Sequence, residues 1–264
     1  MAWIKRHLIT FAALAVLAYT LVPNVIVAVF SFNDPKGKFN YTFNEFSTDA
    51  WTNPCGAPGI CDSLGLSLRI GITASIIATI LGTMIAFALG RYRFRGRSAT
   101  NLLIFMPMAT PEVVMGSSLL TLFLMAGIPA GPVAILIAHI MFCVSFVVVA
   151  VKARVATLDP RLEEAAADLG ANPTQTFLRV TLPLAAPGIA AGGLLAFSLS
   201  FDDYIITNFN ASPSSITFPM YVWGAAQRGV PVQVYAIGTV MFLIALGVVV
   251  AGQVVGARRN RQVA

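Results

Sequence analysis

Two adjacent carboxylates, Asp202 and Asp203, stand in the run Leu199-Ser200-Phe201-Asp202-Asp203-Tyr204, after a stretch of almost wholly apolar and small residues. Carboxylates in such a setting can hold a cation, pass a proton, or cap a helix that begins just beyond them. Glu112 is a third acid within an apolar run, close behind Pro107 and Pro111, which free backbone carbonyls. His139 stands alone on another apolar run, where an imidazole serves as a relay or as a packed, hydrogen-bonded group. With Ser200, these groups suit a path for a cationic solute. The sequence holds no zinc-ligand spacing, P-loop, dinucleotide-binding glycine pattern or nucleophile elbow. It therefore assigns no catalytic residue, no metal and no cofactor.

The elements that must position these groups are membrane helices. Hydrophobic residues make up 57% of the chain and charged residues 11%, and the mean hydropathy is +0.80. Soluble domains carry about 25% charged residues. Crossing a bilayer takes about 20 apolar residues, and stretches at roughly 8–31, 66–90, 101–125, 132–151, 187–208 and 233–257 supply six spans. The expected fold is an all-α polytopic membrane protein. The first span follows Lys5, Arg6 and His7, but its apolar run is too long for a signal peptide and no clear cleavage site follows it. The sequence divides into a first helix and outer loop at 1–65, a five-helix core at 66–257 with a polar loop at 152–186, and a basic tail at 258–264.

The fifth span starts near Pro187, and a rise of about 1.5 Å per residue puts Asp202 roughly 20 Å or more along it. A central Asp costs on the order of 3 kcal/mol to insert, less toward the interface. Neighbouring helical positions point about 100° apart, so the two acids cannot both face lipid cheaply. The pair reads either as an anionic station for a cation or as a helix end that reaches water and caps the next segment. Gly188, Gly192 and Gly193 allow a neighbouring helix to come close.

Orientation follows from the basic residues. Most of the 17 Lys and Arg fall on one side of the six-span arrangement, among them Lys5, Arg6, Arg91, Lys152, Arg154, Arg179, Arg258, Arg259 and Arg261. That side is cytoplasmic by the positive-inside rule, and it carries both termini. The net charge of +6 then needs no nucleic acid. The run Arg91-Tyr92-Arg93-Phe94-Arg95-Gly96-Arg97 reads as an anchor to anionic headgroups.

Residues 32–65 form the longest outer segment, with Phe39, Tyr41, Phe43, Phe46 and Trp51 suited to the membrane interface. Trp51 alternatively contacts substrate or a delivering protein. Cys55 and Cys61 lie close enough in sequence for a small disulfide loop on an oxidising face, or remain two thiols; Cys143 reads as a small core residue.

The long polar interval of the second half runs from Asp159 to Pro183. Asp159-Pro160 signals a helix start, and Leu162, Ala165, Ala166 and Leu169 form an apolar stripe at i, i+3, i+4 and i+7. Gly170 suits a left-handed terminating residue, Asn172-Pro173 opens a second short helix, and Pro183 is expected to stop it. The product is a helix–turn–helix at a membrane surface.

Glu164-Ala165-Ala166, Gly170 and Val180-x-Leu182-Pro183 resemble the EAA loop of ABC importer permeases, with Val in place of the usual Ile. Along nearly its whole length the chain resembles the C-type permease subunits of bacterial spermidine/putrescine importers. The resemblance runs through Ser31-Phe32-Asn33, Tyr92–Gly96, Thr110–Gly116, His139–Val149 and Ser200–Tyr204. It implies a type I ABC importer permease fold in the bacterial inner membrane, with the EAA loop as a cytoplasmic coupling helix. It further implies a heterodimer with a second permease subunit, a dimer of cytoplasmic ATP-binding subunits, an extracytoplasmic substrate-binding protein and a polyamine substrate. Glu164, Ala165, Ala166, Gly170, Leu182 and Pro183 carry over as coupling residues. Glu112, Asp202 and Asp203 carry over as acids on the polyamine path, Glu112 where the family commonly has Asp. The Cys55/Cys61 loop departs from the family pattern. Two other readings are an ABC permease for a different solute, and a proton-coupled secondary transporter using Glu112, His139 and the Asp pair.

Overall fold

A computed structural model describes residues 2–263 and, among them, the side chains of residues 7–252. The basic side chains at 5, 6, 258, 259 and 261, used above for orientation, lie outside the described residues, as do Met1 and Ala264. The chain divides into two compact units, residues 1–62 with 221–264, and residues 63–220.

The first unit contains α1 (Ala2–Phe30), a short antiparallel pair of β1 (Asn33–Asp34) and β2 (Glu45–Phe46), and α2 (Asp49–Thr52). Its C-terminal part holds most of α11 (Phe218–Arg228) and α12 (Val232–Val263), and α1 packs along α12. The segment after α1 folds around Asn33. Its side-chain amide donates to the Thr42 carbonyl (2.9 Å) and its Oδ1 accepts the Asn44 N–H (2.7 Å). Phe32 stacks on Phe46 and on Trp51, with centroids 5.7 and 5.1 Å apart.

The second unit is built from most of α3 (Ile60–Arg91), then α4 (Arg97–Ala109), α5 (Glu112–Met125), α6 (Pro132–Val155), α7 (Arg161–Asp168), α8 (Pro173–Thr176), α9 (Leu182–Asp202) and α10 (Ile205–Asn210). Helix α6 is its axis. Ile135, Ala138, His139, Phe142 and Cys143 are buried at helical spacing along one stripe, and Val147, Val148, Val151 and Val155 extend it. Helix α9 lies closest against it, as the glycines suggested. A Cβ at Gly192 would meet Val147 at 3.4 Å and Ala150 at 3.5 Å, and one at Gly82 would meet Val147 at 2.7 Å. Small residues admit this approach, and dispersion between the closely packed backbones repays it.

Among the described residues, five helices are long and apolar enough to cross a membrane, and α4 with α5 makes a sixth when the bent pair is counted as one span. The expected third span at 101–125 is thus broken into two helices, with the chain bent by 109° between them. Thr110 precedes a proline, which drives it to extended backbone (ψ 132°), and Pro111 cannot donate to the helix behind it. Helix α5 then packs on α10. A Cβ at Gly116 would lie 2.8 Å from the Phe209 ring and 3.3 Å from the Ile206 Cα.

The fifth span also differs from expectation. Pro183 does not stop a helix: α8 runs through a π-helical turn, Phe177–Thr181, directly into α9, and Pro183 sits in the first turn of α9. The Leu182 N–H reaches back to the Phe177 carbonyl, five residues away. That wider turn relieves the clash between a proline ring and the carbonyl four residues before it, so the chain stays helical. At the far end α9 stops at Asp202, short of the expected 208, and a separate helix, α10, follows.

Candidate functional site

The polar loop of the second half forms a helical hairpin. Asp159 Oδ1 accepts the Arg161 N–H at 3.0 Å, one of the donors a helix start leaves unpaired. Just beyond the end of α7 stands Gly170, whose φ of +83° is the left-handed conformation expected there. Asn172 and Gln175 then bond reciprocally to each other's backbone N–H in a capping box, with Pro173 in the first turn. Glu164 and Ala165 are exposed and Ala166 is half-buried. Leu162 is 45% exposed and Leu169 is 90% exposed, so the apolar stripe of α7 is largely open. Leu182 is half-buried and Pro183 exposed, at the join with α9.

Glu163, beside the exposed Glu164, turns the other way. Its Oε1 pairs with Arg91 Nη2 at 2.8 Å and accepts the Thr181 hydroxyl at 2.7 Å. Phe177 meets Phe87 of α3 edge to face at 5.2 Å. Between the end of α3 and the hairpin lies a cavity of about 560 Å³ lined by Phe87, Arg91, Tyr92, Glu163, Phe177 and Thr181, among others.

The two neighbouring aspartates have different surroundings. Asp203 is drawn inward: its Oδ2 accepts the Thr207 N–H and hydroxyl, each at 2.7 Å, its Oδ1 accepts the Ile206 N–H at 3.3 Å, and His139 Nε2 lies 3.3 Å from Oδ2. The side chains of His139 and Asp203 are 2% and 5% exposed. His139 Nδ1 is 2.7 Å from the buried Ser200 hydroxyl, and Nε2 is 2.9 Å from the Thr207 hydroxyl. A neutral imidazole satisfies this network, with Nε2–H donating toward Thr207 and Asp203 while Nδ1 accepts from Ser200. Asp203 thus caps the start of α10 and ties it to α6 and α9. Asp202, the last residue of α9, is exposed.

Glu112 is exposed at the first residue of α5 and has no hydrogen bond or ion pair among the described residues. The structure therefore joins His139, Ser200, Asp203 and Thr207 in one network and leaves Glu112 and Asp202 outside it. No group of three or more potential metal ligands occurs among the described residues.

In the first unit, Trp51 donates its indole N–H to the Ser31 hydroxyl at 3.1 Å while its ring stacks on Phe32. Cys55 and Cys61 are joined by a disulfide with Cα atoms 5.4 Å apart, and Cys143 is a buried free thiol.

Sequence reasoning missed Glu163, Arg91 and Thr207. Glu163-Glu164 carried the same signal as the aspartate pair, since adjacent acids on a helix point about 100° apart and one must turn toward the protein. For Thr207 the only local signal was Asp203 itself, an acid just before a short helix.

Comparison with known proteins shows the family of the chain. Residues 65–260 match the family of binding-protein-dependent transport system inner membrane components. The chain is 35% identical over 247 residues to the spermidine/putrescine transport system permease protein PotC of Escherichia coli strain K12, covering 94% of this chain and 93% of that protein. It is 37% identical over 238 residues to the putrescine transport system permease protein PotI of the same strain, covering 88% and 84%. It is also similar in fold to a solved bacterial ABC transporter involved in import of the acidic polysaccharide alginate, with a TM-score of 0.67, 18% identity and 95% of each chain covered. This chain belongs to the binding-protein-dependent transport system inner membrane components, the permease subunits of ABC importers.

Proposed function

We propose that this chain is one of two permease subunits of an ATP-driven polyamine importer in the bacterial cytoplasmic membrane. The observation that carries the reading is 35% identity over 94% of the chain to a spermidine/putrescine permease. Both termini and the α7–α8 hairpin lie on the cytoplasmic side, in keeping with the Lys and Arg distribution. There the open stripe of α7, with Glu164, Ala165, Ala166 and Gly170, docks on a separate ATP-binding subunit of a dimer. Leu182 and Pro183 pass its movement into α9. An extracytoplasmic binding protein delivers the substrate, and the outer segment with Trp51 faces that delivery.

Polyamines are multiply charged cations, and attraction to a carboxylate is several-fold stronger in a low-dielectric corridor than in water. Asp202 and Glu112, both exposed and free of ion pairs among the described residues, act as acceptors along the path. Asp203 and Ser200, held by His139 and Thr207, fix the helix end that carries Asp202. Dispersed acids suit transport better than a deep cage, because the substrate must also leave.

A permease of the same architecture for another solute is the competing reading. The solved relative that imports an acidic polysaccharide has a similar fold, so the fold alone does not choose the charge of the substrate. A proton-coupled carrier has less support, because Glu112 makes no bond to the His139–Asp203 network among the described residues.

Labelled spermidine uptake, measured with and without the gene and with ATP depletion and an ionophore as separate arms, tests the proposal. Loss on deletion and on ATP depletion, with little effect of ionophore, is expected. Uptake that collapses with ionophore alone overturns the ATP-driven reading. Uptake indifferent to deletion, in a strain lacking other polyamine importers, overturns the substrate.

A further inference from the structure

We propose that Arg91 and Glu163 form a clamp that positions the hairpin so that its movement reaches α3 and α9 together. The proposal rests on the reading of the hairpin as the element that docks on the ATPase, and concerns how that docking is transmitted.

One oxygen joins three elements. Glu163 Oε1, on α7, takes both Arg91 Nη2 at 2.8 Å and the Thr181 hydroxyl at 2.7 Å. Arg91 is the last residue of the 32-residue helix α3, and Thr181 is the last residue of the π-turn that leads into α9. Two membrane spans therefore end at the same carboxylate. Glu164, the next residue, is exposed and available for docking, so the two adjacent acids of α7 divide the labour: one faces the partner, the other holds the protein.

The surroundings allow this contact to matter. A π-turn differs from an α-turn by a shift of one hydrogen-bond register, which makes Phe177–Thr181 a place where α9 can rotate relative to the hairpin. The Thr181–Glu163 bond fixes that register to α7. The cavity of about 560 Å³ beside the ion pair leaves room for α7 to shift against α3. Among the described residues, the buried Nε of Arg91 has no hydrogen-bond partner. A charged fork with an unused buried donor is suited to exchanging partners between two states.

The clamp is a positioning device, so its loss should separate hydrolysis from transport. The test uses the full complex in liposomes, with the second permease, the ATPase and the binding protein, and reads uptake and ATP hydrolysis in one sample. Glu163→Gln and Arg91→Gln should each lower the uptake per ATP hydrolysed about tenfold, a typical size for coupling between sites, while hydrolysis continues. The exchanged pair, Arg91→Glu with Glu163→Arg, should recover much of the lost ratio. An unchanged ratio in both single variants overturns the proposal, as does a proportional fall in uptake and hydrolysis. Gly170→Pro serves as the control on the docking itself. If that variant transports normally, the docking reading fails. If it fails as expected while Glu163→Gln keeps the native ratio, the clamp alone is wrong.

Discussion

His139 Nε2 and Asp203 Oδ2 lie 3.3 Å apart between side chains only 2% and 5% exposed, while the neighbouring Asp202 is exposed. Consecutive carboxylates therefore stand in different surroundings. Taking an acceptor away from buried donors costs about 1–3 kcal/mol, because the donors keep their desolvation penalty. Exposed positions away from such networks usually change stability by about 0.5 kcal/mol or less.

Asp203→Asn and Asp202→Asn should accordingly part company. The first trades one of the two acceptor oxygens that serve His139, Thr207 and Ile206 for an NH2 donor among donors, and should lower thermal stability in detergent, with less protein in the membrane. The second should keep native stability and amount while reducing spermidine uptake. Thermal unfolding and uptake, measured on both variants at matched expression, check this. Normal uptake by Asp202→Asn would remove that residue from the path.

These two residues also show what was legible in the sequence. The pair was visible as costly charge, and both readings of it were open, station or cap; the contacts that separate them come from residues 64 positions before and four after, His139 and Thr207. The hydrophobic runs located five helices long enough to cross and a sixth, bent pair, because length and apolarity are local properties. The 109° break at Thr110–Pro111 was less legible, since proline can either kink a helix or end it and the neighbouring helix decides. Pro183 misled for the same reason, its ring being accommodated by a π-turn that no local pattern announces. The hairpin was readable almost residue by residue, because caps and a left-handed glycine are local. Its Glu163–Arg91 contact spans more than 70 residues and was not.

The glycines give a prediction whose sign depends on position. A Cβ at Gly82 would stand 2.7 Å from Val147, whereas one at Gly65, in the same helix α3, meets nothing within 4 Å. Gly82→Val should destabilise by about 1–3 kcal/mol through overpacking. Gly65→Ala should stabilise by about 0.5–1 kcal/mol, the usual gain of alanine over glycine inside a helix. Melting temperatures of the two purified variants should therefore move in opposite directions.

Thiol counting follows from the 3 cysteines. Cys143 is fully buried and its Sγ lies 3.4 Å from the Ala196 carbonyl, and the other two are bridged. Native protein should take up no maleimide, denatured unreduced protein one, and denatured reduced protein three, as read by intact mass. Replacing both Cys55 and Cys61 by Ser removes a short closed loop and should cost about 2 kcal/mol in the chain-entropy description. Labelling of all three cysteines without reductant would exclude the bridge.

Gly170 makes the last prediction, and it separates backbone shape from side-chain identity. Its φ of +83° lies in the region that glycine enters freely, asparagine tolerates and proline cannot reach, since the proline ring holds φ near −65°. Its N–H also donates to the Ala167 carbonyl at 2.9 Å, a bond that proline removes. A Cβ there would meet nothing within 4 Å, so steric crowding plays no part. Gly170→Pro should therefore unmake the end of α7, abolish uptake and prevent stable copurification of the ATPase, while Gly170→Asn should keep most of both. Gly170→Ala should fall between them, paying about 1 kcal/mol for the left-handed conformation. Pull-down of the ATPase on the three variants, alongside uptake, reads the series. An ordering in which Asn is as damaging as Pro would mean that the hairpin needs glycine for close contact with its partner, rather than for the turn it makes.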